Sequence, residues 1–470
     1  MTLSVSTETT TPAPARPIAA RPGVALALIL TCQLMLMLDA TVMNVALPRI
    51  RADLGFTPAG LSWVMNAYTL VFGGLLLLGG RLGDLFGRRR LFLAGIAVFT
   101  AASLAGGLAD SAGLLIAARI VQGVGAAMAG PSTIALVTSA FVEPRARVRA
   151  LSLFSAMSSS GFAIGLILGG FLTEWLTWRS VMFINVPLGL VVLAFGARYI
   201  AEPERHPARL DLVGAGLATV GVASVVYGFI QAAEDGWGSA SAVWPLVVGA
   251  VLVIAFVVSQ TRVSSPMLPL RLFRDRNRAA AYTNFFLGPL SMMSAFFFMT
   301  QFLQEVSRYR ALTTGFAFLP MAVGILGMSR LIPRLLPRFG PKPLALTGTL
   351  LMSAGLWWMS TLSAGSSYVP AILGPMILMG LGGGMAFAPL NVLIMATVPP
   401  ADAGAAGGAL QTMQQIGSTL GLALLVTIAG SASRGLSGTS AVVAGATAAW
   451  AASAAIVLLT FLVALTFRRQ

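Results

Sequence analysis

One cysteine, one histidine and one lysine occur in 470 residues, and each scarcity removes a class of chemistry. Cys32, alone, forms neither an intrachain disulfide nor a thiolate zinc site. His206, alone, rules out a paired-imidazole metal site, so neither a metal nor a cofactor is expected. Lys342 follows Pro341, so the phosphate-binding pattern G-x-x-x-x-G-K-[ST] is absent and the chain carries no nucleotide-hydrolysing site of that kind. Charge is also scarce: 10% of residues are charged against 57% hydrophobic, and the mean hydropathy is +0.86. A soluble domain of this length needs far more polar surface.

What is present is long apolar runs. Phe92–Leu108, Leu212–Ile230 and Ala441–Leu465 carry no charge. A membrane span needs ~20 mostly apolar residues, and the backbone in lipid must satisfy its own hydrogen bonds, so these runs read as helices. A membrane barrel would alternate in polarity instead. Reading the whole chain this way gives an all-α integral membrane protein with fourteen spans: 24–47, 61–80, 91–109, 112–135, 149–172, 180–200, 211–231, 242–260, 280–303, 313–333, 343–363, 369–394, 403–429 and 441–466. Residues 1–22, rich in Thr, Pro and Ala, read as a disordered tail. The two most polar interior stretches, 201–210 and 262–278, bracket spans 7 and 8. The expected organisation is therefore a six-helix bundle over 23–205, an inserted helix pair over 206–265, and a second six-helix bundle over 266–470.

Net charge is +15, yet no contiguous basic patch or stacking aromatic series points to nucleic acid. The basic residues instead follow the span pattern. With both termini in the cytoplasm, 23 of the 30 Arg and Lys lie on that side and six lie opposite, Arg119 being inside span 4. That is the positive-inside asymmetry of a multi-pass protein of the cell membrane.

Asp39 is the acidic residue placed well inside a span. A carboxylate there costs about 2.5–3.5 kcal/mol, which usually marks a cavity-facing group with a role. Arg119 in span 4 falls at similar depth in the outer half of the membrane, so the two can pair; a purely structural part, pinning neighbouring helices, is the competing reading. GGRLGDLFGRRR (79–90) fills the first cytoplasmic loop. Its Gly80, Gly83 and Gly87 permit tight turns, Asp84 and Arg88 are spaced to pair on a helix, and Arg89 adds to the inward charge. Gly161, Gly165, Gly169 and Gly170 make a close-packing stripe on span 5. Candidates for a substrate cavity are Asn44, Trp63, Asn66, Tyr68, Gln122, Phe285, Phe286, Gln304, Asn391, Gln411 and Gln415, with Gln33 and Gln414 beside them. Each of these residue types is also common as a bond between helices.

Taken together, the motifs resemble one family, the fourteen-helix drug:proton antiporters of the major facilitator superfamily. LDATVMNVALP (38–48), GRLGDLFGRR (80–89), ARIVQGVGAA (118–127), WRSVMFINVPLG (178–189) and QFLQEVSRYRALTTGFAFLP (301–320) carry the resemblance. It implies a major facilitator fold alternating between inward-open and outward-open states. It implies that Arg119 takes part in proton coupling, and that Asp84 stabilises a closed state through helix ends and charges of the other half. Two positions depart from the pattern. Leu85 stands where a basic residue is usual, and Leu166 stands at the proline of the antiporter motif G-x-x-x-G-P-x-x-G-G.

The expected function is proton-coupled efflux of amphipathic or lipophilic small molecules, with protons, substrate and the lipid bilayer as partners and a single copy as the working unit. The alternative is a transporter of the same fold for a specific metabolite, or one without proton antiport. A lone deep Asp with neither His nor a second deep carboxylate does not make an intramembrane catalytic set, so the chain is not expected to be an enzyme.

Overall fold

Glycine and proline set the helix ends. Pro22 opens the first helix, and Gly55 closes it in the left-handed region at φ 68°. Gly87, Gly236 and Gly340, all at positive φ, end three more. A proline in the first turn forfeits no helical hydrogen bond, and a glycine at positive φ pays no Cβ penalty. The computed structural model describes residues 21–467 except 142, 204–210, 264–265, 397 and 399–402. The expected tail lies outside the described residues up to position 20, and so does His206.

Twelve helices among the described residues are long and apolar enough to cross a bilayer. In chain order they are α1 (Pro22–Leu54), α2 (Gly60–Phe86), α3 (Arg88–Gly107), α4 (Ala112–Ala140), α6 (Ser180–Tyr199), α7 (Leu212–Asp235), α8 (Ala240–Arg262), α9 (Arg276–Val306), α10 (Ala311–Phe339), α12 (Tyr368–Ile394), α13 (Ala406–Ala432) and α14 (Gly438–Leu465). Two further helices, α5 (Pro144–Trp175) and α11 (Pro341–Met359), stand where spans 5 and 11 were expected. They are not among the twelve. The described apolar stretch of α5 is only Ala163–Trp175, and α11 has 19 residues and begins Pro-Lys-Pro.

Helices α1–α6 pack mainly on one another, as do α9–α14. Glycines let backbones touch within each group. A Cβ on Gly95 would stand 2.6 Å from the Gly125 carbonyl oxygen between α3 and α4, and one on Gly348 would stand 2.6 Å from the Ala386 nitrogen between α11 and α12. The inserted pair is more than a linker. α7 lies along both groups, with Tyr227 at 6.4 Å from Trp63 of α2 and the Phe229 carbonyl accepting from Thr427 Oγ1 of α13 at 2.5 Å. α8 packs on α7 and is the least buried of the twelve spans.

Two boundaries differ from expectation. α1 does not stop before Pro48 but carries it inside and runs to Leu54, so Asp39 sits near its midpoint rather than two-thirds along. The segment 79–90 is not a loop. α2 continues to Phe86 and α3 starts at Arg88, leaving Gly87 (φ 104°) as the only break.

A buried charge cluster as candidate functional site

Asp39 and Arg119 meet at the centre of the α1–α6 group. Their side chains are wholly buried, and Arg119 Nη1 lies 2.5 Å from Asp39 Oδ2. Three more helices supply the remaining partners. Gln122, one turn beyond Arg119 on α4, donates from Nε2 to Asp39 Oδ1 at 3.2 Å and to Ser103 Oγ of α3 at 2.7 Å. Its Oε1 accepts from Arg119 Nη1 at 2.9 Å. Asn185 of α6 donates to Asp39 Oδ1 at 3.3 Å. Arg119 Nε donates to the Val64 carbonyl of α2 at 2.8 Å, and its guanidinium lies 4.4 Å from the centre of the Tyr68 ring.

The carboxylate therefore holds one cation and two amide donors, which is how a charge survives where water is absent. Some bonds are missing. Arg119 Nη2 and Asn185 Oδ1 are buried with no partner among the described residues, as are both amide atoms of Asn66. A cluster with spare donors and acceptors can rearrange when its charge changes. Asp39 is 1% exposed, and neighbouring side chains close over it.

The 79–90 motif lies at the end of the molecule that holds the start of α1. Asp84 accepts from Arg88 Nη2 at 2.5 Å across Gly87. Among the described residues that is its only partner, so the contact to the other half implied by the resemblance is not made here. Arg89 instead anchors α3 within its own half. Its backbone nitrogen donates to Glu202 Oε1 at 3.1 Å, placing a carboxylate at the helix N-terminus, and its Nη1 donates to the Ile200 carbonyl at 3.2 Å.

The comparisons with known proteins agree with this architecture. A family model described as "Major Facilitator Superfamily" matches residues 29–422. The chain belongs to the Major Facilitator Superfamily. Among its curated relatives is the cephamycin export protein CmcT of Amycolatopsis lactamdurans, 44% identical over 416 residues, which cover 87% of this chain and 86% of that one. Another is the puromycin resistance protein pur8 of Streptomyces alboniger, 41% identical over 408 residues covering 86% and 81%. The fold matches the nucleoside transporter NupG at a TM-score of 0.64 and 13% identity, over 95% of this chain and 99% of that one. Membership makes the chain a multi-pass membrane transporter of small molecules.

In this superfamily member the glycine stripe of α5 divides. Gly161 faces Met37, Gly165 faces Thr41 and Gly169 faces Val42, all on α1, whereas Gly170 abuts Ala311 and Leu312 of α10. Leu166, at the antiporter-motif proline, is fully buried, and its carbonyl abuts Gly315 of α10. α5 thus touches α1 and the second half at once.

The expected cavity residues scatter. Tyr68 and Gln122 belong to the charge cluster. Asn44 Nδ2 donates to Thr300 Oγ1 of α9 at 2.7 Å, and Gln304 Nε2 of α9 donates to the Val45 carbonyl at 2.9 Å, so both stitch the halves together. Trp63 packs on α7, Phe285 packs on Phe387 at 5.6 Å, the Phe286 carbonyl abuts Gly417, and Gln415 abuts Gly73. Asn391 and Gln411 are exposed, and Gln33 and Gln414 are half-buried. None of these lines a cavity of about 500 Å³ at the opposite end of the molecule. Sequence reasoning missed Asn185 and Ser103 in the cluster, along with Arg51, Gln301, Glu305 and Arg308 at that cavity. Asn185 lay inside a quoted motif, and Glu305 and Arg308 inside another; no pattern singled out Ser103.

Proposed function

We propose that this chain is a proton-coupled exporter of amphipathic or lipophilic small molecules in the cell membrane, with both termini in the cytoplasm. Export is the activity named for its relative CmcT, and puromycin resistance is what is named for pur8. The orientation follows from 23 basic residues on one side against six on the other. We count α5 and α11 as crossings, and take 23–205 and 266–470 as the two halves that rock about 206–265.

The buried Asp39–Arg119 pair carries the coupling. An ionised Asp39 holds Arg119, Gln122 and Asn185. A proton on Asp39 removes the charge that holds Arg119, whose remaining bonds go to Val64 and Gln122. On the same helix, just beyond Asp39, Asn44 and Val45 bind α9. Loosening the cluster therefore loosens the seam at which α1 meets the second half. Outward-side contacts at Arg51–Glu305 (3.0 Å) and Glu174–Arg310 (3.6 Å) hold that seam shut, while Asp84 at the inner end pairs only locally. That arrangement fits a chain closed outward and waiting for cargo from within.

The test uses inside-out vesicles bearing the wild type or Asp39→Asn, with ethidium as probe. A proton gradient should drive ethidium uptake in the wild type alone, while ethidium counterflow, which needs no gradient, persists in both. Gradient-driven uptake by the variant at the wild-type rate would remove Asp39 from the mechanism. Counterflow in the wild type without any response to the gradient would favour the facilitator reading.

A further inference from the structure

The 500 Å³ cavity lies between the end of α1, the end of α9, the end of α13 and the start of α14. Its volume suits a drug-sized molecule, and much of its wall is apolar, with Phe297, Phe298, Val426 and Val442 among the lining residues. Of its charged groups, the one left without a counter-ion is a cation. Both oxygens of Glu305 are already taken by Arg51 Nη1, at 3.0 and 3.1 Å. That leaves the rest of the Arg51 guanidinium, and Arg308, which has no partner among the described residues. Arg308 is held at the cavity by a left-handed backbone (φ 59°) that non-glycine residues rarely adopt, just after the π-helical turn Phe302–Val306. Gln301 is 7% exposed, lines the cavity, and its Nε2 has no partner. Finally α14, of 28 residues, starts here at Ser437–Gly438–Thr439, with no side-chain cap and no acidic residue in its first turn. An uncapped helix start presents free N–H groups and the positive end of the dipole.

Two guanidinium groups and a bare helix N-terminus line one space whose single carboxylate is engaged, and the unpaired Gln301 Nε2 is buried in its wall. We propose that this outer vestibule is a binding site for small amphipathic anions, an apolar body with a carboxylate, distinct from the Asp39 cluster. The anion sits with its carboxylate among Gln301 Nε2, Arg308 and the start of α14, and its apolar part against Phe297, Phe298 and Val426. Neutral or cationic amphiphiles can offer an acceptor but not the negative charge that the Arg308 guanidinium pairs with, so their hydrogen bonds here are weaker. That the site faces outward, on the release side, rests on the proposed orientation; that it binds anions does not.

The single cysteine makes a clean test possible. In the full chain carrying Cys32→Ser and Ser437→Cys, in nanodiscs of neutral lipid, maleimide labelling of position 437 reports occupancy from either face of the disc. The probe is dansyl-phenylalanine, compared with its uncharged amide. At ten times its half-protecting concentration the acid should slow labelling about tenfold, and the amide should leave the rate unchanged. Adding Arg308→Gln, or separately Gln301→Leu, should raise the half-protecting concentration about tenfold without altering the unliganded labelling rate; Arg308→Lys should recover most of the protection. Equal protection by acid and amide would overturn the proposal. So would protection that survives both variants, or a site that discs containing phosphatidylglycerol occupy fully so that the acid adds nothing. Because the assay involves no transport and no gradient, its failure is separate from failure of the export reading.

Discussion

Two of the ion pairs on α1 differ in kind. Asp39 and Arg51 both belong to α1, about 18 Å apart along its axis at 1.5 Å per residue, yet they live in different physical worlds. Asp39 meets Arg119 with both side chains at 0% exposure, whereas Arg51 meets Glu305 at 31% and 26%. The first pair lies inside one half; the second joins the two halves. In a dry interior, removing one partner strands a charge, and the cost is several kcal/mol. Near water the same contact contributes little, because solvent already serves both ions. Under the proposed mechanism the two have different parts: the buried bond yields only when neutralised, and the seam bond is cheap enough to open in every cycle.

The largest effect is expected where the contrast is sharpest. Arg119→Ala leaves Asp39 buried with only amide donors and should destabilise the folded chain by about 3–5 kcal/mol, read as a fall in Tm of the detergent-solubilised protein. Asp39→Asn added to that variant should recover most of the loss, since it removes the stranded charge. A single Arg119→Ala variant that melts with the wild type would mean that water reaches Asp39, and the contrast between the two pairs would collapse.

The sequence revealed the first pair and hid the second for reasons that follow from the same contrast. A charge inside an apolar run stands out against its surroundings, so Asp39 and Arg119 were legible, and their near-equal depth allowed pairing. Arg51, Glu305 and Arg308 lie at helix ends, where charges are expected and carry no signal. Twelve of the spans were legible from hydropathy because lipid imposes it residue by residue. The course of α1 past Pro48 was not, because proline inside a membrane helix is tolerated when neighbours take up the freed groups. Gln304 and Asn44 read as cavity candidates because a polar group in a span signals either a ligand or a neighbouring helix; only the placement of Val45 and Thr300 separates the two.

An intermediate effect is expected from the packing that makes α1 one rigid rod. Gly169 of α5 sits against the Val42 backbone, where an added Cβ would stand 2.8 Å from the Val42 Cα. Gly169→Val must push α1 and α5 apart, at about 1–3 kcal/mol of overpacking. Because Val42 lies between Asp39 and Asn44, the shift should also lower gradient-driven uptake more than counterflow. Equal losses in both assays would mean that the cluster and the seam are not linked through α1.

The smallest effect on stability, and the most informative about the cycle, is expected at the seam. Glu305→Gln removes the charge that Arg51 binds, but both groups are part-exposed, so the cost should stay below about 1 kcal/mol and Tm should move little. What should change is the balance between states. With that contact weakened, the outward end opens more often, and maleimide should reach a cysteine placed at Ala59, on the cavity wall formed by the α1–α2 connection, faster than in the parent. Raising ionic strength should have the same effect on the parent and little on the variant, since salt screens an exposed pair and hardly touches a buried one. An unchanged labelling rate in Glu305→Gln would show that Asn44, Gln304 and Glu174 hold the outward end closed without help from this pair.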